Sequence, residues 1–203
     1  MGFSLYHNKP IFTLCLCFWD RIKKRLLMLV EIAIFASIGL VLDKLTFSMP
    51  QGGSVSFVML PIILMGIRWG LTGGLTTGFL IGALQIAFGA TIYHWAQGLL
   101  DYGVAFTVVG FAALIRKPLL NATKGAKRRI ILWVTLGTIL GGVLRYMAHT
   151  VAGAIFFAEY AGDQNPWIYS IIYNGTYMLP AIVLTAIAAS LLFTSAPQLF
   201  KEA

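Results

Sequence analysis

The chain is 203 residues long, 59% hydrophobic and only 11% charged, with a mean hydropathy of +0.83. A soluble domain carries about 25% charged residues, and disordered, collagenous or coiled-coil chains need polar, Gly-periodic or heptad-charged sequence, so those classes are excluded. The formal net charge of +8 sits mainly in alternate connections between apolar runs, which makes it a topology signal rather than a nucleic-acid footprint, and no nucleic-acid partner is expected.

Residues 1–25 hold the short apolar run 11–19, with Cys15 and Cys17, followed by a basic cluster. The run is too short to span a bilayer, and a signal peptide would place the basic residues first. One Cys-x-Cys pair supplies neither a disulfide framework nor a metal site. This segment reads as an interfacial or cytoplasmic extension, or as translation begun at an upstream start codon.

Six apolar segments follow within a domain over 26–195, and residues 196–203 form a short tail. The segments cover about 26–45, 55–67, 71–90, 98–115, 130–157 and 168–193. The second is short for a span, which implies tilt, interfacial protection or partial unwinding. Thirteen of the 15 Lys and Arg lie within 9–25, at Arg68, within 116–129 and at Lys201. With those stretches inside, both termini are cytoplasmic. Trp19, Trp69 and Trp133 then mark inner boundaries, and Trp95 and Trp167 outer ones, as an aromatic belt does. The expected fold class is an all-α integral membrane protein, a six-helix bundle with N-in/C-in topology in the plasma membrane.

Gly66, Gly70, Gly74, Gly78 and Gly82 recur every fourth residue, and Ala33 and Ser37 form a similar small pair on the first helix. Such stripes let a neighbouring backbone approach closely. Two readings stand: packing inside the chain, or a docking face for another membrane protein using Ala33, Ser37, Gly74 and Gly78.

Polar groups inside spans are costly and mark function. Asp101 and Tyr102 open the fourth segment at its outer end. Arg145, Tyr146 and His149 lie in the outer half of the fifth, and Tyr169, Tyr173, Asn174 and Tyr177 open the sixth. All converge on one depth, which describes a pocket for a small, flat, cationic molecule. Aromatic faces would supply stacking and cation–π attraction, and Asp101 the countercharge. The inner halves offer few ionisable groups beyond Glu31, so no polar corridor crosses the membrane. The sequence contains no phosphate-binding G-x-x-x-x-G-K-[ST], H-E-x-x-H or G-x-S-x-G motif, so a binder without its own ATPase, and not an enzyme, is expected.

Five stretches in order carry a family likeness: MPQGGSVS (49–56), RWGLTGGLTTGFLIGALQ (68–85), LLDYGVAFTVVGFA (99–112), RYMAHTVAGAIFF (145–157) and PWIYSIIYNG (166–175). With them the chain resembles the thiamine-specific substrate-binding (S) component of the energy-coupling factor vitamin transporters, over about residues 26–192. The resemblance implies an outward-facing thiamine pocket closed by the first, third and fifth loops. It implies that Asp101, Tyr102, His149, Tyr169 and Asn174 contact the vitamin, with Phe157 stacking where relatives often carry Trp. Relatives often carry Glu at the position of Asp101, and some offer a loop Trp that Gln51–Ser54 lacks, so ring stacking is either weaker here or borrowed from Trp95 or Tyr93. Asp101 would pair the thiazolium charge or bind the aminopyrimidine. Thiamine is cargo, and no resident cofactor is implied. The implied partners, besides the lipid bilayer, are a transmembrane coupling subunit and two ATPases.

Alternative readings keep the architecture with another vitamin (riboflavin, biotin or a queuosine precursor), or make the chain a solitary secondary carrier or an intramembrane protease using His149. The lack of a visible internal repeat weighs against the carrier.

Overall fold

The computed structural model describes residues 9–49, 52–122 and 127–196, with side chains from residue 19 onward. The side chains of Cys15 and Cys17, together with Gln51 and residues 197–203 of the tail, fall outside that description. The elements in chain order are α1 (Lys9–Lys44), the strands β1 (Phe47–Ser48) and β2 (Ser54–Val55), and α2 (Met59–Ala87). They continue with α3 (Trp95–Ala122), α4 (Lys127–Phe156) and α5 (Pro166–Ser195). Among the described residues, five helices are long and apolar enough to cross a membrane. Residues 9–25, expected as an extension, begin the same helix that continues to Lys44.

Where two segments were expected over 55–90, α2 runs through both but is broken at Gly70, whose φ of 75° and ψ of −162° no helix contains. An ideal Cβ on Gly74 would lie 3.0 Å from the Cα of Gly66, although residues eight apart along a straight helix are about 12 Å apart. The arms 59–69 and 71–87 therefore fold back against each other. Glycine serves at the break because an L side chain rarely tolerates that positive φ. Arg116 on α3 braces it, donating from Nε to the carbonyl oxygen of Ile67 at 2.8 Å. Arg68 Nε and Nη2 reach Glu31 of α1 at 2.6 and 2.7 Å, and Trp69 Nε1 donates to the same carboxylate at 2.6 Å.

Helices in a bilayer gain little by hiding apolar surface from lipid, so close approach of backbones carries the packing. The second arm of α2 shows this. A Cβ on Gly78 would run into the carbonyl oxygen of Phe106, and one on Gly82 into that of Tyr102, both on α3. Gly74 also approaches Gly110, whose carbonyl oxygen would lie 2.9 Å from a Cβ built on it. The core between the helices is filled by Met59, Ile62, Ile63, Met65, Ile81, Val109, Val134, Met178 and Phe193, all fully buried. Large apolar side chains such as Leu29, Phe79, Leu132, Leu179 and Leu191 point outward, as a lipid-facing surface requires.

The connection after α1 is a small antiparallel hairpin pairing Phe47 with Val55 and Ser48 with Ser54. Gly53, at φ +85°, closes it by accepting from Met49 N at 2.9 Å. Tyr173 of α5 pins it from outside, donating its hydroxyl to the Gly52 carbonyl at 2.9 Å.

Candidate functional site

Asp101 and Tyr102 sit in a π-helical turn, Leu99–Val104, inside α3. Such a turn inserts one residue into the helical register and is found often at functional sites. Here it sets the Asp101 carboxylate against His149 of α4, while Gly82 of α2 lies close to the Tyr102 backbone. His94 caps the helix start, accepting from Ala96 N at 3.2 Å, and Asn165 caps α5, accepting from Trp167 N at 2.9 Å. Three helices thus end or begin at one level, around a cavity of about 520 Å³. That volume lies within the ~300–1,000 Å³ range of small-molecule sites.

A polar chain crosses its floor. Gln97 Nε2 donates to Asp101 Oδ2 at 2.8 Å, and Asp101 Oδ1 meets His149 Nδ1 at 2.9 Å. Arg145 Nε then lies 3.2 Å from His149 Nε2. A guanidinium can only donate, so His149 accepts on Nε2 and carries its proton on Nδ1, toward Asp101. Arg145 is buried, and its guanidinium stacks over the Phe106 ring at 4.2 Å. Gln97 also accepts from Tyr93 N at 3.2 Å, joining the connection before α3 to the same chain.

The opposite wall comes from α5. Asn174 Nδ2 donates to the Ser170 carbonyl at 2.8 Å, and Tyr177 donates its hydroxyl to Asn174 Oδ1. Ser170 in turn donates to the Thr150 carbonyl at 2.8 Å. Tyr169 and Tyr173 stack at 5.9 Å, and Phe157 packs edge-on against Tyr93 at 5.6 Å. The result is a cavity with flat aromatic walls and an ionised floor. It suits a planar ring system carrying charge and hydrogen-bonding edges.

Of the residues expected at the site, Tyr93, Asp101, Tyr102, His149, Phe157, Tyr169 and Asn174 all line the cavity. Trp95 does not: it is 73% exposed and packs beside the His94 ring at the helix start. The belt and the cavity share a depth but not a direction. Gly74 and Gly78 are buried against α3, so of the expected docking residues only Ala33 and Ser37 lie on an exposed face, where Ser37 Oγ donates to the Ala33 carbonyl at 2.9 Å.

Sequence reasoning missed Asp43, which faces the cavity from the end of α1, and Gln85, which lines it from α2. Gln85 is buried, and its Nε2 has no hydrogen-bond partner among the described residues. Arg145, for which the sequence favours a structural role because a second positive charge beside a cationic ligand is unfavourable, lines the cavity too. An ionisable residue within the first apolar segment was the available signal for Asp43. Among the described residues no group of three or more His, Cys, Asp or Glu could hold a metal ion.

The sequence profile of the family described as thiamine transporter protein matches residues 29–201. Thiamine transporter ThiT of Bacillus subtilis is 46% identical over 189 residues, covering 89% of this chain and 97% of that protein. Thiamine transporter ThiT of Lacticaseibacillus paracasei is 31% identical over 184 residues, covering 87% and 92% respectively. A solved structure of ThiT from Listeria monocytogenes matches with a TM-score of 0.82 at 32% identity, covering 87% of this chain and 98% of that one. The long apolar helices and the Gram-positive origin of the curated relatives make this a multi-pass protein of the plasma membrane. Matched over most of its length in both sequence and structure, the chain belongs to the thiamine transporter family.

Proposed function

We propose that the protein captures thiamine from outside the cell, as the substrate-binding subunit of an ATP-driven energy-coupling factor importer. The observation that carries this reading is the cavity itself: aromatic walls and two carboxylates at one end of a bundle that glycine packing closes at the other. Thiamine pairs a planar aminopyrimidine with a permanently charged thiazolium, and cavity walls of Tyr93, Phe157, Tyr169 and Tyr173 offer stacking faces to both rings. Tyr102, His149, Asn174 and the orphan Gln85 amide orient the polar edges. The topology that goes with it has six crossing segments, both termini inside, with the two arms of α2 as the second and third; the reversal at Gly70 supports it. A one-ended pocket and a sequence without a phosphate loop call for partners that do the work. These are a transmembrane coupling subunit and two ATPases.

Calorimetric titration of the detergent-solubilised protein tests the ligand. A heat signal is preferred to fluorescence because no Trp lines the cavity among the described residues. Saturable binding of thiamine at submicromolar concentration, with riboflavin and biotin silent, is expected. Absence of a thiamine signal rejects the reading. Vesicles holding this chain alone, or with the coupling subunit and ATPases, test the coupling. Uptake is expected only with the full set and ATP, and uptake by the chain alone would make it a carrier.

A further inference from the structure

The charges around the cavity leave one unit over. Two carboxylates face it, Asp43 from α1 and Asp101 from α3, with a single buried guanidinium, Arg145. His149 adds nothing, because an imidazole that accepts on Nε2 from Arg145 is the neutral form. Lys44 stands on the exposed rim, where water screens it. Two negative groups against one buried positive group give a net charge of −1, which a monocation complements.

The two carboxylates are not alike. Asp101 has both oxygens engaged, Oδ1 by His149 and Oδ2 by Gln97. A cation approaching it competes with hydrogen bonds already made. Asp43 forms no ion pair within 4.0 Å among the described residues. Its electrostatic neighbours are Arg145, Lys44, His149 and the Ser56 hydroxyl. Arg145 is drawn away from it, toward His149 and the Phe106 ring.

We infer that Asp43 is the group that pairs the positive charge of the bound cation, and that Asp101 is a positioning residue that fixes His149 and Gln97. The inference rests on the thiamine reading and decides which carboxylate meets the thiazolium. Asp101 then shapes the floor that receives the neutral part of the ligand.

The test compares thiamine with its deaza isostere, in which an uncharged thiophene replaces the thiazolium, by calorimetry on the full-length protein. The wild type is expected to prefer thiamine. Asp43→Asn weakens thiamine roughly 10- to 100-fold while moving the isostere by less than about threefold, so the preference collapses. Asp43→Glu keeps the preference. Asp101→Asn weakens both ligands together and leaves their ratio near the wild-type value. Because each ratio is taken within one protein, a partly unfolded fraction cancels, and Asp43→Ser provides a second charge-removing variant. Asp43→Asn and Asp43→Ser retaining the wild-type ratio, or Asp101→Asn abolishing it, would overturn the inference while leaving thiamine as the ligand. A wild-type protein that binds neither compound overturns the thiamine reading and the inference together.

Discussion

The two ends of the bundle are built from the same helices by opposite means. Around Gly70 the chain is closed by side chains that are absent: Gly74 and Gly78 bring α2 against the backbone of α3, and Glu31 clasps Arg68 and Trp69. At the other end large side chains hold the helices apart. Tyr, Phe and Arg line a space braced by the chain from Gln97 to Arg145. Hydrocarbon gives helices no reason to collapse on one another, so an open cavity persists wherever small residues do not draw backbones together. Gly82, against Tyr102, is where one regime gives way to the other. Stability should therefore reside mainly at the Gly70 end and binding at the cavity end.

Substitutions can break that division. The largest effect is expected from Gly78→Leu, whose Cβ would run into the Phe106 carbonyl oxygen. Backbone, unlike a side-chain tip, cannot swing away, so a cost of about 3 kcal/mol or more is expected. It would be read as a collapse of the melting temperature in detergent; a variant melting within a few degrees of the wild type would remove the glycine stripe as the closing device. Asp101→Ala comes next, with a loss of ~2–5 kcal/mol in thiamine binding as His149 and Gln97 lose their acceptor. A loss below about tenfold would take Asp101 out of the site. Glu31→Gln is milder, since the amide oxygen still accepts from Arg68 or Trp69. We expect ~1–2 kcal/mol of stability to go while thiamine affinity stays within about twofold. A parallel fall in affinity would show that the two ends are coupled.

The apolar segments were legible because a bilayer demands long apolar runs, and the break at Gly70 was legible as Arg68-Trp69-Gly70 between two of them. Asp101, Tyr102, His149, Tyr169 and Asn174, which line the cavity, stand out in the sequence because polar groups in hydrocarbon are rare. Asp43 escaped because a helix end beside Lys44 looks like ordinary termination; only the packing of α1 on α2 shows that it faces inward. Trp95 shares the depth of the cavity without lining it, since depth in the membrane says nothing about direction around a helix axis. The π-turn at Leu99–Val104 has no local signature in the sequence; Gly82 of α2 lies against its Tyr102 backbone, a contact between distant segments. Gln97 did carry a signal, four residues before Asp101, the spacing at which helical side chains meet.

The smallest expected effect sharpens the comparison most, because it separates the walls of the cavity from its cover. The hairpin of β1 and β2 is held by its own bonds, from Thr46 Oγ1 to the Val55 carbonyl at 2.5 Å and from Met49 N to the Gly53 carbonyl at 2.9 Å. The hydroxyl of Tyr173 ties it to α5, and the Tyr177 ring fills the space where a Cβ on Gly53 would stand. Tyr173→Phe removes that hydroxyl bond and leaves the ring stacked on Tyr169. A neutral hydrogen bond is worth about 0.5–1.5 kcal/mol net, so thiamine affinity should fall by a factor of roughly two to ten. If the hairpin is a cover, the loss lies in a faster dissociation rate with association little changed, as is usual for contacts that hold a ligand already seated. Stopped-flow calorimetric or displacement kinetics distinguish the cases. An equal loss in association would mean that the hairpin shapes the floor and walls before the ligand arrives, and the cavity end would then be one rigid unit rather than a cup with a cover.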